Sequence, residues 1–564
     1  MFIKLVKSKT SENVQVYLVE SYRDGGKIKH RTLKRYGVLQ ELQRDDPDIL
    51  SKLKAHAKQL SELEASQLFS CTLDLNESND HSSTFKNIGC VYLSHVIDRL
   101  NIKPLLDEIQ SSHKIQYDLY DALRFLVVMR ILYPGSKRSA HHKKDKLYLD
   151  FDLSLDDVYR SLGHLDKAKA RMIQQLDTHM VKHYERDKSL VYYDVTNFYF
   201  ESNETSDLRE LGASKENVKH PIVTMGLYMD EHNYPISYDL FRGNTHDAKT
   251  LIPSFQTMQH QLSFKRCVVV ADKGLNGGEN IRHLLDAGHG YIFASKVRGS
   301  SQKVIDKVLD PEGYHRIGDG FKYKQVEMKR KVTYRNEMGR TKTFEVMENI
   351  VIFYSKNYDL KAKYERDKVL EKLEHYIAQP GQLKQKTKQG KFKYLKQVES
   401  HPETGEVMKP SLTLSIDEAK VNKDAQLDGY YLIASSEFTL SAEEIIQKYR
   451  GLWQIEKSFR MIKSELEGRP IYLSTDDHIK GHFLTCFVAL LVSRILEKKL
   501  DGLYSMEHIQ EGLREMNVLA LEGDVFKITR YTNVQKAIQE ALGVYLDHHY
   551  IRKETLNRRL KELT

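Results

Sequence analysis

The sequence predicts an α/β protein in which a β-rich insertion splits a mixed sheet, preceded by a helical region and an N-terminal β-hairpin. Three observations indicate this fold class. Three β-prone runs follow one another from Leu190 (LVYYDVTNFYF, IVTMGLYM and YPISYDLFRG), and helical and strand patterns then alternate as far as GYIFAS. The α/β pattern resumes at GYYLIASS, after a markedly basic stretch at residues 298–427 with strand-like runs of its own. Such an order predicts a mixed sheet covered by helices.

The 564-residue chain is too long for one ordinary core, so we expect several domains. VQVYLVESYR and KHRTLKRYGVL, joined by Asp24-Gly25-Gly26, predict the hairpin, and a charged helix follows from about Pro47 to Leu68. The predicted boundaries are 1–71 for the hairpin and helix, 72–88 for a polar linker, 89–186 for the helical region, 187–297 and 428–500 for the two parts of the α/β core, 298–427 for the insertion, and 501–564 for a C-terminal helical region.

Composition predicts a folded chain and leaves its partner open. Apolar residues make up 40% and aromatic residues 10%, which argues against wholesale disorder. Lys and Arg total 87 against 78 Asp and Glu, and the net charge of +9 fits a nucleic-acid partner without requiring one. The four cysteines are scattered with no Cys-x-x-Cys pair, which argues against a zinc ribbon and a disulfide framework.

No export or membrane segment is predicted. The N-terminal MFIKLVKSKT lacks the apolar core of a signal peptide. The longest apolar run, Phe483 to Leu496, is interrupted by Ser493 and Arg494 and is too short to span a bilayer, so it predicts a buried helix. We therefore expect an intracellular, cytoplasmic protein without a membrane partner.

Two aspartates occupy positions where a purely structural strand rarely has one. Asp194 lies in LVYYDVTNFYF, a run that is apolar on both faces and therefore belongs in the middle of a covered sheet. A carboxylate there costs several kcal/mol unless it is paired or bound to a metal. Asp272 ends the run CVVVAD, at the carboxyl end of a second buried strand, which is a common location for ligand sites in α/β sheets.

A third acid, Glu456, lies in the helical pattern from Ser441 to about Glu467. If that helix is continuous, Glu456 falls on the apolar side, together with Tyr449 and Phe459, and Lys463 falls there two turns later. An acid and a base on an apolar stripe are the reverse of ordinary amphipathic design. Gly451 is the position at which this helix would break.

Each acid also has a structural explanation. Asp194 could be hydrogen-bonded to a loop, Asp272 could begin a turn completed by Lys273-Gly274, and Glu456 could pair with Arg460 one turn on. The order of strand, strand and helix favours one shared site. Three carboxylates are what two divalent ions need to catalyse in-line displacement at phosphorus, and the lack of a Cys or His cluster favours Mg²⁺ or Mn²⁺ over zinc.

Four segments carry a resemblance to a known family: YYDVTNFYFE, HPIVTMGLYMDEHNYPISYDLFRGNTHDAKTL, VVVADKGLNGGENI and YRGLWQIEKSFRMIKS. They resemble bacterial insertion-sequence transposases of the cut-and-paste DDE type, in the branch with a tyrosine-arginine-glutamate-lysine signature. The resemblance covers about residues 190–294 and 430–491. It implies a ribonuclease-H-like core that binds the terminal inverted repeats of the element, cleaves the DNA with Mg²⁺ or Mn²⁺, and transfers the strands. It also implies a homodimer on double-stranded DNA, and hence a nucleoid-associated protein.

Carried over by position, Asp194, Asp272 and Glu456 would be the catalytic, metal-binding acids. Tyr449 and Lys463 match the signature tyrosine and lysine, which contact phosphates of the element end in the family. The signature arginine would be residue 452, which is leucine here, so Arg450 or Arg460 is expected to supply that charge. Some relatives use a tryptophan of the insertion to form a DNA hairpin. The only Trp here is Trp453, outside the insertion, so a hairpin is not implied.

Further DNA contacts are predicted from basic residues. Lys273 follows Asp272 directly, and the run LKQKTKQGKFKYLKQ of the insertion includes Lys391 and Lys393, next to Phe392 and Tyr394. A plain solvated charge run explains that stretch equally well. The helical region, with SKRSAHHKK, is expected to bind DNA or form a dimer. RGNTHDAK also matches the family, and we expect it to shape a turn before the next helix.

Two other functions remain open from the sequence. The first is a structure-selective nuclease on the same core, which would cut unrelated DNA without preference for element ends. The second is a domesticated DNA-binding protein without catalysis. The presence of all three acids argues against that second reading, whereas Leu452 leaves it open.

Overall fold

The computed structural model describes residues 1–7, 13–24, 27–64, 85–216, 218–262, 264–335, 338–378, 392–400, 411–521 and 524–561. The chain divides into two compact units. The first contains Met1–Glu185, Asn197–Val223 and Ser458–Thr564, and the second contains Arg186–Thr196 and Thr224–Lys457. Sequence-distant segments therefore build each unit.

The first unit begins with a three-stranded antiparallel sheet rather than the predicted hairpin. Its strands are Phe2–Lys7 (β1), Val14–Asp24 (β2) and Lys27–Val38 (β3), in the order β1-β2-β3. Helices Leu39–Asp45 (α1) and Ile49–Glu64 (α2) follow. Leu18 packs with Ala57 and Leu60, so the apolar side of α2 covers the sheet. The hairpin prediction missed β1 because FIKLVK is short and only its pairing with β2 identifies it.

The helical region follows a short strand, Phe85–Asn87 (β4). Its helices are Gly89–Asp98 (α3), Lys103–Ser112 (α4), Leu119–Leu132 (α5), Lys137–His142 (α6) and Leu155–Tyr184 (α7). Ser154 and Asp157 form a capping box that starts α7, and Asp118 caps α5. Of the predicted linker, residues 72–84 lie outside the described residues. Its last part is strand β4 instead, because Phe85–Asn87 pairs with a strand from the far end of the chain.

The second unit is built on the predicted mixed sheet. The strands Leu190–Tyr199 (β5), Ile222–Asp230 (β6) and Pro235–Arg242 (β7) precede Leu251–Gln261 (α8), Val268–Ala271 (β8), Gly278–Asp286 (α9), Gly290–Ser295 (β9) and Gln302–Leu309 (α10). These strands lie in the order β7-β6-β5-β8-β9, with β5, β8 and β9 parallel. Nearly every residue of β5, β6 and β8 is buried, as expected for a sheet covered on both faces.

The predicted insertion is not a separate β domain, because its long hairpin extends the same sheet. Its elements are His315–Ile317 (β10), Phe321–Arg335 (β11), Thr341–Ser355 (β12), Lys356–Ala378 (α11), Leu395–Ser400 (β13), Ser411–Ile416 (β14) and Glu418–Ala425 (α12), followed by Tyr430–Ser435 (β15). Strand β15 pairs antiparallel with both β12 and β9, giving nine strands in the order β10-β11-β12-β15-β9-β8-β5-β6-β7. Only β13 and β14 pair apart from it.

The last elements are Ala442–Arg450 (α13), Trp453–Lys463 (α14), Asp476–Lys499 (α15), Met506–Arg514 (α16), Asn517–Leu521 (β16), Val525–Ile528 (β17), Asn533–Leu542 (α17), Tyr550–Arg552 (β18) and Lys553–Lys561 (α18). The region predicted as helical at 501–564 thus also holds three strands, which form a sheet in the order β18-β17-β16-β4. Among the described residues, α15 alone is long and apolar enough to cross a membrane. Of its most apolar window, 94% is buried inside the protein, as in a core helix.

Distant ends of the sequence meet within the first unit. Arg31 of β3 donates hydrogen bonds to Asp547 (2.6 Å) and to Glu20 of β2 (2.7 Å). Arg559 of α18 reaches the same Glu20 at 3.4 Å. Side chains from the N-terminal sheet and the C-terminal segment therefore form one ionic cluster.

Candidate active site

Asp194 and Asp272 each lie two residues beyond a paired position of the neighbouring parallel strands β5 and β8. Leu190 of β5 pairs with Val268 of β8, and Tyr192 pairs with Val270. Asp194 is two residues beyond Tyr192, and Asp272 is two residues beyond Val270. Both side chains are half-buried. Because parallel strands in register present matching positions to the same face, the two carboxylates belong to one edge of the site. Asp272 also begins a turn, in which the Leu275 N–H donates to its carbonyl.

Tyr449, near the end of α13, is linked to Asp272. Its hydroxyl donates a hydrogen bond to Asp272 Oδ1 at 3.3 Å. Burial raises the pKa of Tyr449 well above its usual value, and the negative charges of Asp272 and Glu456 raise it further. The phenol therefore stays protonated at neutral pH and acts as a donor. Two of the predicted acids lie within electrostatic range of this one hydroxyl.

The helix that carries Glu456 is interrupted at Gly451, the position at which the sequence allowed a break. Helix α13 ends at Arg450, and α14 starts at Trp453. A Cβ added at Gly451 would overlap the phenol of Tyr192 on β5, so the close approach of the α13–α14 junction to the sheet requires glycine.

Because α14 starts anew after the break, its residues do not continue the rotation of α13, and Glu456 does not lie on the apolar side. Glu456 is exposed in the first turn of α14, while Leu452, Ile455 and Phe459 take the buried positions. The positive end of the helix dipole favours a carboxylate there. No ion pair within the described part of the chain joins Glu456 to Arg460, which argues against the surface bridge considered above.

The described residues include no group of three His, Cys, Asp or Glu side chains that could hold a metal ion. The three carboxylates are therefore not arranged there as a ready ligand cluster. Their chemistry fits a hard divalent cation, because such ions prefer carboxylate oxygen. That Asp194, Asp272 and Glu456 bind metal stays a prediction.

Three of the predicted DNA-binding residues have defined positions in the second unit. Lys273 is exposed beside Asp272, and the exposed Arg450 stacks over the Phe321 ring at 5.6 Å. Lys393 instead pairs with Asp424 at 2.7 Å, beside Tyr394 in a small core cluster. Lys391 lies outside the described residues.

Arg460 and Lys463 lie in the first unit. Arg460 is exposed, whereas the side chain of Lys463 is only 11% exposed and pairs with Glu216 at 2.9 Å. Arg469 pairs with the same carboxylate. No pattern around Glu216 (SKENVKH) indicates this role. Leu452, at the signature arginine position, is 7% exposed and belongs to the core.

RGNTHDAK forms the expected turn before α8. The Thr245 N–H donates to the Arg242 carbonyl, and the His246 ring accepts from the Ala248 N–H at 3.3 Å. His246 is thus a cap of the short 3-10 helix Asp247–Lys249.

Comparison with protein families identifies the chain. A family described as "Transposase DDE domain" matches residues 185–492, more than half of the sequence and all three predicted acids. The chain belongs to the DDE transposase family. The family described as "IS1634 family transposase, N-terminal domain" matches residues 3–67 of the transposase, which confirms the resemblance to insertion-sequence transposases.

Two further comparisons concern curated proteins and solved structures. No curated protein matches the transposase. Among solved structures, it is similar to the "piggyBac transposase synaptic complex with hairpin DNA", with 9% sequence identity and a TM-score of 0.35, over 81% of this chain and 86% of that chain.

Proposed function

We propose that this transposase binds the terminal inverted repeats of an insertion sequence, cleaves the DNA there and joins the ends to a target, with Mg²⁺ or Mn²⁺ as cofactor. One observation carries the proposal. Asp194 and Asp272 each lie two residues beyond a paired position of the parallel strands β5 and β8, and the Tyr449 hydroxyl donates a hydrogen bond to Asp272. The carboxylates of Asp194, Asp272 and Glu456 are all at least partly exposed, which suits phosphodiester chemistry on a large substrate.

Asp194 and Asp272 would hold the divalent ions, with Glu456 as the third ligand. A bound pair of such ions activates the incoming oxygen and stabilises the leaving oxygen in an in-line displacement. The Tyr449 hydroxyl holds Oδ1 of Asp272 and leaves Oδ2 of that carboxylate for a ligand. The exposure of Glu456 keeps its carboxylate accessible to a substrate as large as duplex DNA.

The core is proposed to be ribonuclease-H-like. The strand order β7-β6-β5-β8-β9 supports this, because three consecutive strands lie side by side and the next two, each preceded by a helix, add on the other side of β5. The hairpin β11–β12 lies in the sequence between Asp272 and the helix that carries Glu456, and it adds strands to this sheet. The boundaries 187–297 and 428–500 for the two parts of this core remain proposals.

A homodimer is proposed as the active form on DNA, because two element ends have to be joined in one reaction. The expected location is the bacterial cytoplasm, at the nucleoid. Sizing the protein with and without end DNA tests the dimer: a single copy on paired ends would contradict it.

The decisive experiment is cleavage of a plasmid that carries the element ends. The unsubstituted protein should nick at the ends with Mg²⁺ and lose this activity in EDTA. Asp194→Asn, Asp272→Asn and Glu456→Gln should each abolish nicking while retaining end binding. Asp319→Asn and Glu371→Gln remove the same charges from exposed positions and should cleave normally.

The outcomes separate the three candidate functions. Cleavage at the ends by any of the three acid variants would refute its assignment. Cutting of unrelated DNA without end preference would favour the structure-selective nuclease. End binding by the unsubstituted protein without metal-dependent cleavage would favour the domesticated DNA-binding protein.

A further inference from the structure

The second unit contains a large cationic groove that the cleavage site does not account for. Its volume is about 940 Å³, and it lies between the N-terminal ends of α9 and α10 and strand β11. It begins beside Asp272, because Lys273 is one of its lining residues. Two of its lining residues are acidic and seven are cationic: Lys273, Lys296, Arg298, Lys303, Lys329, Arg330 and Lys331. Such an excess of positive charge in a concave surface attracts a polyanion.

The side chains that could read bases in this groove are already engaged. Arg330 donates two hydrogen bonds to the fully buried Glu348, at 2.6 and 2.7 Å, and that carboxylate also accepts from Tyr291. Arg298 pairs with Asp428. Neither guanidinium is therefore free for the bidentate contact that recognises guanine.

Asn276 is occupied as well, although asparagine is the type of residue that recognises adenine. Its amide donates to the Ala294 carbonyl at 2.8 Å, and its oxygen accepts from Arg330 at 3.2 Å. None of the described residues that line the groove is aromatic, so the groove offers no platform on which unpaired bases would stack. The groove is built neither for base reading nor for single strands.

The remaining cations suit phosphate groups. Lys296, Lys303 and Lys329 are exposed, and no ion pair engages them within the part of the chain that the structure describes. Lysine heads are flexible point charges that neutralise phosphates without specifying sequence. Ser300 and Ser301, just before α10, also line the groove, and the Ser300 hydroxyl donates to the Lys296 carbonyl.

We propose that this groove binds the phosphate backbone of target DNA without reading its sequence, and that it guides the duplex to the acids at Asp272. The proposal rests on the proposed function, since it assigns one of the two DNA substrates of that reaction to a defined surface.

The first test is binding of a duplex of unrelated sequence by the full chain, which requires no catalysis. The triple variant Lys296→Gln, Lys303→Gln, Lys329→Gln should bind roughly 10-fold or more weakly at 0.15 M salt, and its log–log salt slope should be lower by about 3, at about 0.9 per lost phosphate contact. The matched control is Lys361→Gln, Lys363→Gln, Lys372→Gln on the exposed side of α11. Equal losses in both triple variants, or no loss in the first, would overturn the proposal.

The second test separates target capture from end cleavage. With pre-cut element ends and a separate target plasmid, the groove variant should transfer strands about 10-fold less, while its cleavage of element ends stays within about twofold of the unsubstituted protein. A parallel loss of cleavage and transfer would assign the groove to the element end and overturn the proposal. If the unsubstituted protein neither cleaves nor joins DNA, the proposed function fails, and the binding test still decides whether the groove holds duplex DNA.

Discussion

Tyr449 connects the helix before the glutamate to the carboxylate at the end of β8. The sequence resemblance assigns this side chain to a DNA phosphate, whereas its hydroxyl contacts Asp272 Oδ1. At the scale of a residue, this makes Tyr449 a positioning group for Asp272, the proposed metal ligand. A hydrogen bond to a charged group is worth about 1.5–3 kcal/mol at good geometry, and the 3.3 Å separation places this one at the lower end.

Tyr449→Phe should therefore raise the Mg²⁺ concentration for half-maximal nicking by about 10-fold, because Asp272 loses the donor that orients it. Saturating Mg²⁺ should restore most of the rate. A Mg²⁺ titration of plasmid nicking measures both quantities, with Tyr364→Phe, an exposed tyrosine of α11, as the control. A weaker affinity for end DNA with an unchanged Mg²⁺ requirement would instead support the phosphate contact that the resemblance implies.

The two aspartates could be proposed from the sequence because each interrupts or ends a run of buried strand residues. The partner of Tyr449 could not, because Asp272 lies 177 residues earlier in the chain. Glu216 was missed for a similar reason. It is an ordinary acid in a polar loop, and only the folded chain brings it to Lys463 and Arg469.

At the scale of elements, the junction between α13 and α14 determines where Glu456 points. Sequence periodicity treats the segment as one helix, and it places Glu456 on the buried side. The glycine at 451 breaks that phase because the backbone there packs against the phenol of Tyr192. The contact between Gly451 and Tyr192 thus explains why Glu456, a predicted catalytic residue, is exposed. Sequence periodicity alone cannot predict such a contact.

Gly451→Ala should destabilise the protein by about 1–3 kcal/mol, the usual cost of forcing an extra methyl group into a packed contact. It should also reduce nicking, because the methyl group displaces either α14 or the Tyr192 ring near Asp194. Denaturant unfolding and the nicking assay measure the two effects. Gly277→Ala is the control, since a Cβ at Gly277 meets no atom within 4 Å. Equal denaturant midpoints of unfolding for Gly451→Ala and Gly277→Ala would show that the junction between α13 and α14 is not tightly packed.

Short strands with distant partners account for most of the remaining misses. Strands β16, β17 and β18 contain three to five residues each, too few for an alternation pattern to be recognised. Their sheet is completed by β4, and the contact between Asn87 and Asn517 spans 430 residues. The hairpin β11–β12 was recognised as β-prone, but its pairing with β15 was not, because local sequence does not encode which edge a strand joins.

At the scale of the whole molecule, we expect the buried His95 to contribute to the loss of stability in acid. His95 of α3 is 4% exposed, and its pKa is lowered to about 4 by burial and, to a smaller extent, by the positive charges of Arg99 and Lys499. In the unfolded chain its pKa is near 6.5. Between these values only the unfolded state binds the proton, so stability falls as the pH drops from about 6.5 to about 4.

His95→Gln should flatten the part of the stability–pH profile between about pH 6.5 and pH 4, because glutamine binds no proton there. Urea midpoints across this range measure the slope. His56→Gln, at an exposed position of α2, should keep the original slope. If His95→Gln loses as much stability between pH 6.5 and pH 4 as the unsubstituted protein, other groups cause that loss.

The cluster of Glu20, Arg31 and Asp547 has a consequence for how the protein is made. Arg31 and Asp547 are separated by 516 residues, so during translation at about 5–20 residues per second the partner of Arg31 emerges roughly 25–100 s later. Until then the N-terminal sheet has no C-terminal segment to dock against. Each nascent chain therefore completes this unit only after the segment that contains Asp547 has left the ribosome.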